Sequence, residues 1–509
     1  MDADEGDLSM LLSSATLVAA GQVLYSASKL VERVVIARFL SPSAYGEVDI
    51  AVAVATLTVT VGLVGLRQGV PRYVSRFDDV RDVRGTWATG LAIAGGLGLA
   101  LTATLLLADL RTVTAALFEE PDSGRLLALF VLSVPFTIGM QVAVGAIRGL
   151  ENTRYRTYTR DLLYPGLRLA VVVVLLSAGV GVLAAGYAYL AAAAVTFLVA
   201  HVLLNRLVPL FGPVRTHGRE LLVFSVPLVV STLLSRLLTR TDTLMLGLFR
   251  PSYEVGLYGA AYPLAGAMVL VLSSFGFMYL PVASRLDAAD KRDEVDAIYT
   301  LTTKWIYVLT FPVFLTLVAF PGDVLSATFG AQYAPAAPAL AVLAVGFFPR
   351  AGFGRSRETA SALGFTTYIL GTNVVAFALN VALNLVLIPA YGYVGAAVAS
   401  AASFLALNLL MYAFLRLKVG VSPFARRSAR AFLALPAALV PPAVALSNVV
   451  SLTVLTLPLF VLAAAAATVV VVAATGALQP EDEIPVDFLE DHLGVRVPVI
   501  RQFIPDGGP

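Results

Sequence analysis

Apolar stretches of about 20 residues, one after another from Leu11 almost to the C-terminus, constrain this chain more than any other feature. A bilayer core about 30 Å thick is crossed by a helix of about 20 residues, and in hydrocarbon each backbone amide must find its partner inside that helix. Short hydrophilic joints separate the stretches, so the chain is expected to cross a membrane many times. Composition agrees: of 509 residues 58% are hydrophobic and 13% charged, whereas a soluble domain carries roughly a quarter charged residues. The spans are predicted at 11–38, 46–66, 86–108, 126–147, 162–178, 182–204 and 220–248, then at 256–282, 304–321, 335–349, 364–389, 393–415, 429–447 and 451–475. Residues 476–509 form an acidic tail. The first stretch reads as a retained helix rather than a cleaved signal, because Met1 to Asp7 are acidic and the apolar run is too long.

Orientation follows from basic residues, which collect near helix ends on the cytoplasmic side. Alternate joints hold 24 Lys and Arg, from Arg67 to Arg430, while the intervening joints hold only Arg38, Arg111, Arg125 and Arg250. Both termini are therefore expected in the cytoplasm of a cell-membrane protein, which requires an even count; fourteen satisfies it. A repeat at an offset of 210 to 211 residues matches Glu32 and Phe39-Leu-Ser-Pro-Ser-Ala-Tyr-Gly46 with Asp242 and Phe249-Arg-Pro-Ser-Tyr-Glu-Val-Gly256, and Gly181 with Gly392. Six spans separate the mates, so the halves run parallel. The expected organisation is an N-tail (1–10), an N-lobe (11–205), a cytoplasmic linker (206–219), a C-lobe (220–418), two further helices (429–475) and the cytoplasmic tail, with a cleft between the lobes.

Several chemistries are excluded. The chain has no cysteine, so neither disulfides nor thiolate chemistry exist. His201, His217 and His492 are too scattered for a metal cluster, and no GxxxxGK[ST] loop is present. No catalytic residue, metal, cofactor or nucleic-acid partner is expected.

Charges inside a membrane cost roughly 2.5–3.5 kcal/mol at a helix centre, so each one needs a reason. They gather on two helices that the repeat makes mates: Lys29, Glu32 and Arg33 on the first span, and Arg236, Arg240 and Asp242 on the seventh. Spacing of four puts Lys29 with Arg33, and Arg236 with Arg240, on one face of each helix. These four cations are the candidate substrate contacts, suited to a phosphate or pyrophosphate group; Glu32, Asp49 and Asp242 are candidates for ion coupling or charge pairing. The alternative is that these ions snorkel or pair structurally. Arg168, near the start of the fifth span, is expected to snorkel, and Trp305 and Tyr307 beside Lys304 to form an interfacial aromatic belt. The run Gly395 to Ser403 should permit close helix packing, and the joint Leu66 to Phe77 reads as an amphipathic segment at the membrane face.

The segments Ala37-Arg-Phe-Leu-Ser-Pro-Ser-Ala-Tyr-Gly46, Arg240-Thr-Asp-Thr-Leu-Met-Leu-Gly247 and Val255-Gly-Leu-Tyr-Gly-Ala-Ala261 resemble the Wzx-type polysaccharide flippases of the MOP (multidrug/oligosaccharidyl-lipid/polysaccharide) exporter superfamily, and helix count and repeat extend the resemblance over residues 8–475. It implies an all-α membrane fold of two six-helix lobes plus two C-terminal helices, and alternating access that carries a lipid-linked sugar from the cytoplasmic to the outer leaflet. It also implies cationic cleft residues, for which Lys29, Arg33, Arg236 and Arg240 stand in suitable places. The partners it implies are a lipid-linked saccharide, membrane lipids and glycan assembly enzymes, with a monomer sufficient. The basic segment Gly346 to Gly364 and the acidic tail depart from the pattern. The alternatives are a multidrug cation antiporter of the same superfamily, which the neighbouring arginines oppose, and a polytopic glycosyltransferase or polymerase, which the short outer joints oppose.

Overall fold

A computed structural model describes residues 24–107, 123–274, 276–424, 428–478 and 482. All regular structure among them is helical. Ten segments are long and apolar enough to cross a membrane, and one of them, the 54 residues Thr366–Val419, is broken by non-helical backbone at Gly392. Several large apolar side chains lie outside while charges lie inside: Leu99, Val174, Leu198 and Leu462 are each at least 60% exposed, while Glu32, Asp49, Arg168 and Asp242 are at most 5% exposed. Lipid tails solvate the first set; the second must find partners inside.

The helices form two compact units, residues 1–259 with 388–393, and residues 260–387 with 394–509. In unit 1, α1 (24–39) leads into α2 (Pro42–Gly62), α3 (Leu66–Val74), α4 (Val80–Leu107) and α5 (Ser123–Gly149). A short helix, Thr153–Arg156, and a π-helical turn, Thr157–Leu163, connect α5 to α6 (Tyr164–Ser177), followed by α7 (Leu183–Leu207) and α8 (Gly218–Phe249). The central post is α5, packed on α2, α3, α4 and α7. Its glycines let neighbours approach: Phe197 fills the space beside Gly139, and Val74 the space beside Gly149. In water such glycines would weaken a helix; here they trade propensity for close packing.

The repeat motif has a packing explanation. Ser41 caps α2, its hydroxyl accepting from the Ala44 amide at 3.3 Å, with Pro42 in the first turn. The corresponding turn opens α9 (Ser252–Ser274). Gly46 lies against the Ser252 carbonyl and Gly256 against the Pro42 carbonyl, so a Cβ on either mate would strike the other's backbone. The second pair of mates also shares a backbone need, since Gly181 (φ 72°) and Gly392 (φ 57°) both adopt left-handed conformations at helix breaks.

Unit 2 contains α10 (Gly276–Ala288), α11 (Arg292–Ala319), α12 (Pro321–Thr328), α13 (Ala337–Phe347), most of α14 (Thr366–Phe414), α15 (Ser428–Ser447) and α16 (Thr456–Ala474). The mostly buried α11 packs on α13, α15 and α16. The small-residue run behaves as expected, with Gly346 seated against Ala401. The expected aromatic belt does not form. Lys304 and Trp305 are both buried; the Lys304 ammonium pairs with the Asp482 carboxylate and donates to the Ala477 carbonyl at 3.3 Å, and the Trp305 indole donates to Asp482 at 2.8 Å. Tyr307 donates to the Phe432 carbonyl at 3.0 Å. A lysine that finds a carboxylate and a carbonyl inside the protein has no need to reach the interface.

Candidate functional site

Unit 1 encloses a cavity of about 490 Å³. Tyr25, Lys29, Glu32 and Arg33 reach it from α1, because steps of three, four and seven residues stay on one helical face. From α8, Val229, Thr232, Arg236 and Arg240 line it by the same periodicity. Arg67 comes from α3, Arg160 from the π turn, Tyr164 and Arg168 from α6, and Tyr189 from α7. Hydroxyls and amides complete the wall: Thr56 and Thr60 on α2, Ser133, Thr137 and Gln141 on α5, and Gln68.

Among the described residues, seven cations therefore face one space whose lining holds a single acid, Glu32. The four cations expected from sequence all belong to it. Arg33 donates to Asp49 at 2.6 Å and to the Gly259 carbonyl at 3.2 Å, and Arg240 reaches the same Asp49 oxygen at 3.4 Å. One carboxylate thus ties α1 to α8, and its own helix, α2, supplies it. Lys29 lies over the Tyr25 ring at 5.2 Å, within cation–π range. Among the described residues, Lys29, Arg67 and Arg236 have no carboxylate partner. Where Arg67 lies, on the joint outside the spans, burial pushes its guanidinium down to about 10, with Arg160 and Arg236 adding like-charge repulsion.

Arg168 does not snorkel. It is 5% exposed and donates through Nε and Nη2 to one oxygen of Glu32, the Nε contact at 3.0 Å, with Tyr189 and Tyr164 rings at 4.1 and 5.2 Å from its guanidinium. An arginine at a helix start can equally point inward when a carboxylate waits there. The other Glu32 oxygen is buried without a hydrogen-bond partner among the described residues. Asp242 stands apart: it is buried, accepts from the Tyr258 hydroxyl at 2.6 Å and does not line the cavity.

The amphipathic joint also differs from expectation. The apolar face of α3 (Leu66, Val70 and Val74) is buried against protein helices, which sends Arg67 into the cavity, while Arg72 lies over the Phe224 ring at 3.9 Å. Arg67 and Arg160 were indistinguishable from ordinary positive-inside residues in the sequence; only the packing of α3 and the π turn gives them a site.

Comparison with known proteins gives the chain's family and fold. A family model described as polysaccharide biosynthesis protein matches residues 11–287, and a second, described as MatE, matches residues 227–386. Among curated relatives, a probable low-salt glycan biosynthesis flippase of Haloferax volcanii, Agl15, is 24% identical over 62% of this chain and 67% of its own. A probable flippase of the same organism, AglR, is 24% identical over 67% of this chain and 70% of its own. The fold is that of a solved lipid II flippase, MurJ, in an inward closed conformation, with TM-score 0.71 at 11% identity over 94% of this chain and 100% of that one. An inward-facing multidrug resistance MATE family transporter of the MOP superfamily follows at TM-score 0.64 and 15% identity, covering 78% and 94%.

Proposed function

Because the chain belongs to the polysaccharide biosynthesis protein family, we propose that it is a flippase for a lipid-linked oligosaccharide or polysaccharide intermediate, a transporter and not a catalyst. The observation that carries this reading is the cavity in which, among the described residues, seven cations meet one lining acid. Even with Asp49 counted, positive charge exceeds negative by five. In a low-dielectric surrounding such an excess repels cations and favours an anion able to bridge several donors, as phosphate and pyrophosphate do. A volume of about 490 Å³ suits a phosphate-bearing headgroup with its first sugar rather than a whole glycan.

In this reading Lys29, Arg33, Arg236 and Arg240 bind the headgroup. Asp49 holds Arg33 and Arg240 together while the site is empty and yields them when a phosphate competes. Glu32 orients Arg168, and Asp242 acts as a structural partner for Tyr258. The two-lobe organisation at 11–205 and 220–418, cytoplasmic termini, a cell-membrane location and a monomeric state are parts of the same proposal. Alternating access would move the headgroup across while its lipid tail stays in the bilayer.

The test is accumulation of lipid-linked saccharide on the cytoplasmic leaflet in cells lacking the protein. Wild type should clear it, and Arg33→Ala and Arg240→Ala should not. Normal clearance in both variants overturns the cationic-site reading. The match of residues 227–386 to the MatE model keeps drug export as the second reading; it would show as sensitivity to cationic drugs with no saccharide accumulation.

A further inference from the structure

The π turn Thr157–Leu163 carries an acid that the proposed function leaves unused. Such turns occur at functional sites, where an extra residue re-aims the side chains. Here Arg160 is carried into the cavity wall and Asp161, next to it, is 1% exposed. Among the described residues, neither Asp161 oxygen has a hydrogen-bond partner; Arg160 Nε lies 3.8 Å from one of them, beyond hydrogen-bond reach. Arg156 Nε and the Thr157 hydroxyl are likewise buried and unpartnered. Buried polar atoms are ordinarily satisfied. Four orphaned atoms within residues 156–161 mark a place built for a second state.

The charged groups acting on Asp161 are Arg160 on its own turn, Arg156 on the short helix before it and Arg67 on α3. The helices α6 and α7 pack on the turn and carry Tyr164, Arg168, Tyr187, Tyr189, His201 and Arg206, none of which is among them. Burial pushes the carboxyl up, against the opposing pull of those three arginines. Two of the three, Arg67 and Arg160, also line the cavity. An anion docked on them would offset positive charge that favours the ionised form of Asp161 and would add a like charge beside it, and both changes favour the neutral acid.

We propose that Asp161 is a proton-binding site linked to the anion site: its carboxylate takes a proton from water when a phosphate-bearing headgroup docks on Arg67 and Arg160, and returns it when the headgroup leaves. This rests on the reading of the cavity as a headgroup site. Linkage is reciprocal, so protonation of Asp161 tightens anion binding by the factor by which the anion favours protonation.

The experiment is calorimetric titration of the purified full-length protein in detergent with inorganic pyrophosphate, in buffers of different ionisation enthalpy, from mildly acidic to mildly alkaline pH. Beyond the ligand's own change in protonation, wild type should take up as much as one proton per pyrophosphate bound between the carboxyl pKa values of the free and bound forms, and its affinity should fall there by up to about tenfold per pH unit. Asp161→Asn should lose both effects and Asp161→Glu should keep them; the ligand's own titration is common to all three and cancels in the difference. Equal proton uptake in wild type and Asp161→Asn overturns the linkage while leaving the headgroup site standing. Absence of pyrophosphate binding to wild type at every pH overturns both. Should Asp161→Asn fail to fold, the infrared difference between bound and free wild type decides: a new protonated-carboxyl band supports the proposal and its absence defeats it.

Discussion

Lys29 and Lys304 are both lysines on apolar helices, one in each unit, and they are treated differently. Lys304 is 2% exposed and fully provided for, with a carboxylate from Asp482, a carbonyl from Ala477 and a neighbouring indole on the same acid. Lys29 has the face of Tyr25 and no carboxylate among the described residues. Around Lys29, one Asp49 oxygen serves both Arg33 and Arg240. A buried charge with a complete set of partners is an architectural element whose removal exposes the desolvation of what remains. A half-buried, cavity-lining cation without a carboxylate of its own keeps its capacity to bind, and the protein carries the electrostatic cost of the empty site. Stability and transport should therefore respond in opposite ways in the two units.

The largest effect should come from the satisfied pair. Lys304→Ala leaves Asp482 buried without its cation, and the loss should be about 3–5 kcal/mol, read as a lowered unfolding midpoint in detergent. Asp482→Asn should cost a similar amount, and the double variant less than the sum of the singles, because the two residues share one interaction. Saccharide clearance per folded molecule should remain at the wild-type level. A Lys304→Ala protein that melts as wild type but no longer transports would erase the contrast between the two lysines.

Arg236→Ala should do the reverse. With no acid partner to strand, its removal should leave the unfolding midpoint within error of wild type or slightly above it, since like charges around it are relieved. Pyrophosphate affinity should fall about tenfold, corresponding to about 1.4 kcal/mol. Isothermal titration checks this, and a lowered midpoint with unchanged affinity would make Arg236 architectural after all.

What the sequence disclosed and what it hid follow the same division. The cationic face of α1 was readable because spacing of four fixes a face, and α8 was found through the repeat offset linking Glu32 to Asp242. The many-pass membrane character was readable because hydropathy registers over whole helices, and ten segments among the described residues are long and apolar enough to span. Pairing across the chain was not: Glu32 and Arg168 are 136 residues apart, Lys304 and Asp482 are 178 apart, and no local pattern connects them. Trp305 and Tyr307 beside a lysine look alike whether they border lipid or close over a buried ion pair. Arg67 and Arg160 were hidden because a basic residue at a span's end satisfies the positive-inside pattern before its direction is known. Asp242 shows the converse, a repeat mate of Glu32 that the fold spends on the Tyr258 hydroxyl instead of the cavity.

The smallest predicted effect refines the comparison at Lys29 itself. The Tyr25 ring lies one helical turn before Lys29 with its centroid 5.2 Å from the ammonium, and both line the cavity. A ring offers a cation electrostatic stabilisation of about 0.5–1 kcal/mol at such sites without neutralising it, unlike a carboxylate. It can thus hold the ammonium toward the cavity while leaving its charge available to an anion. Tyr25→Phe keeps the ring and should leave pyrophosphate affinity nearly unchanged. Tyr25→Leu removes it and should weaken binding about two- to fivefold, the equivalent of that energy, with the unfolding midpoint preserved. If Tyr25→Leu lowers the midpoint and spares affinity, the ring is Lys29's structural partner in the way Asp482 is that of Lys304. The two lysines would then differ in the chemistry of the partner and not in purpose.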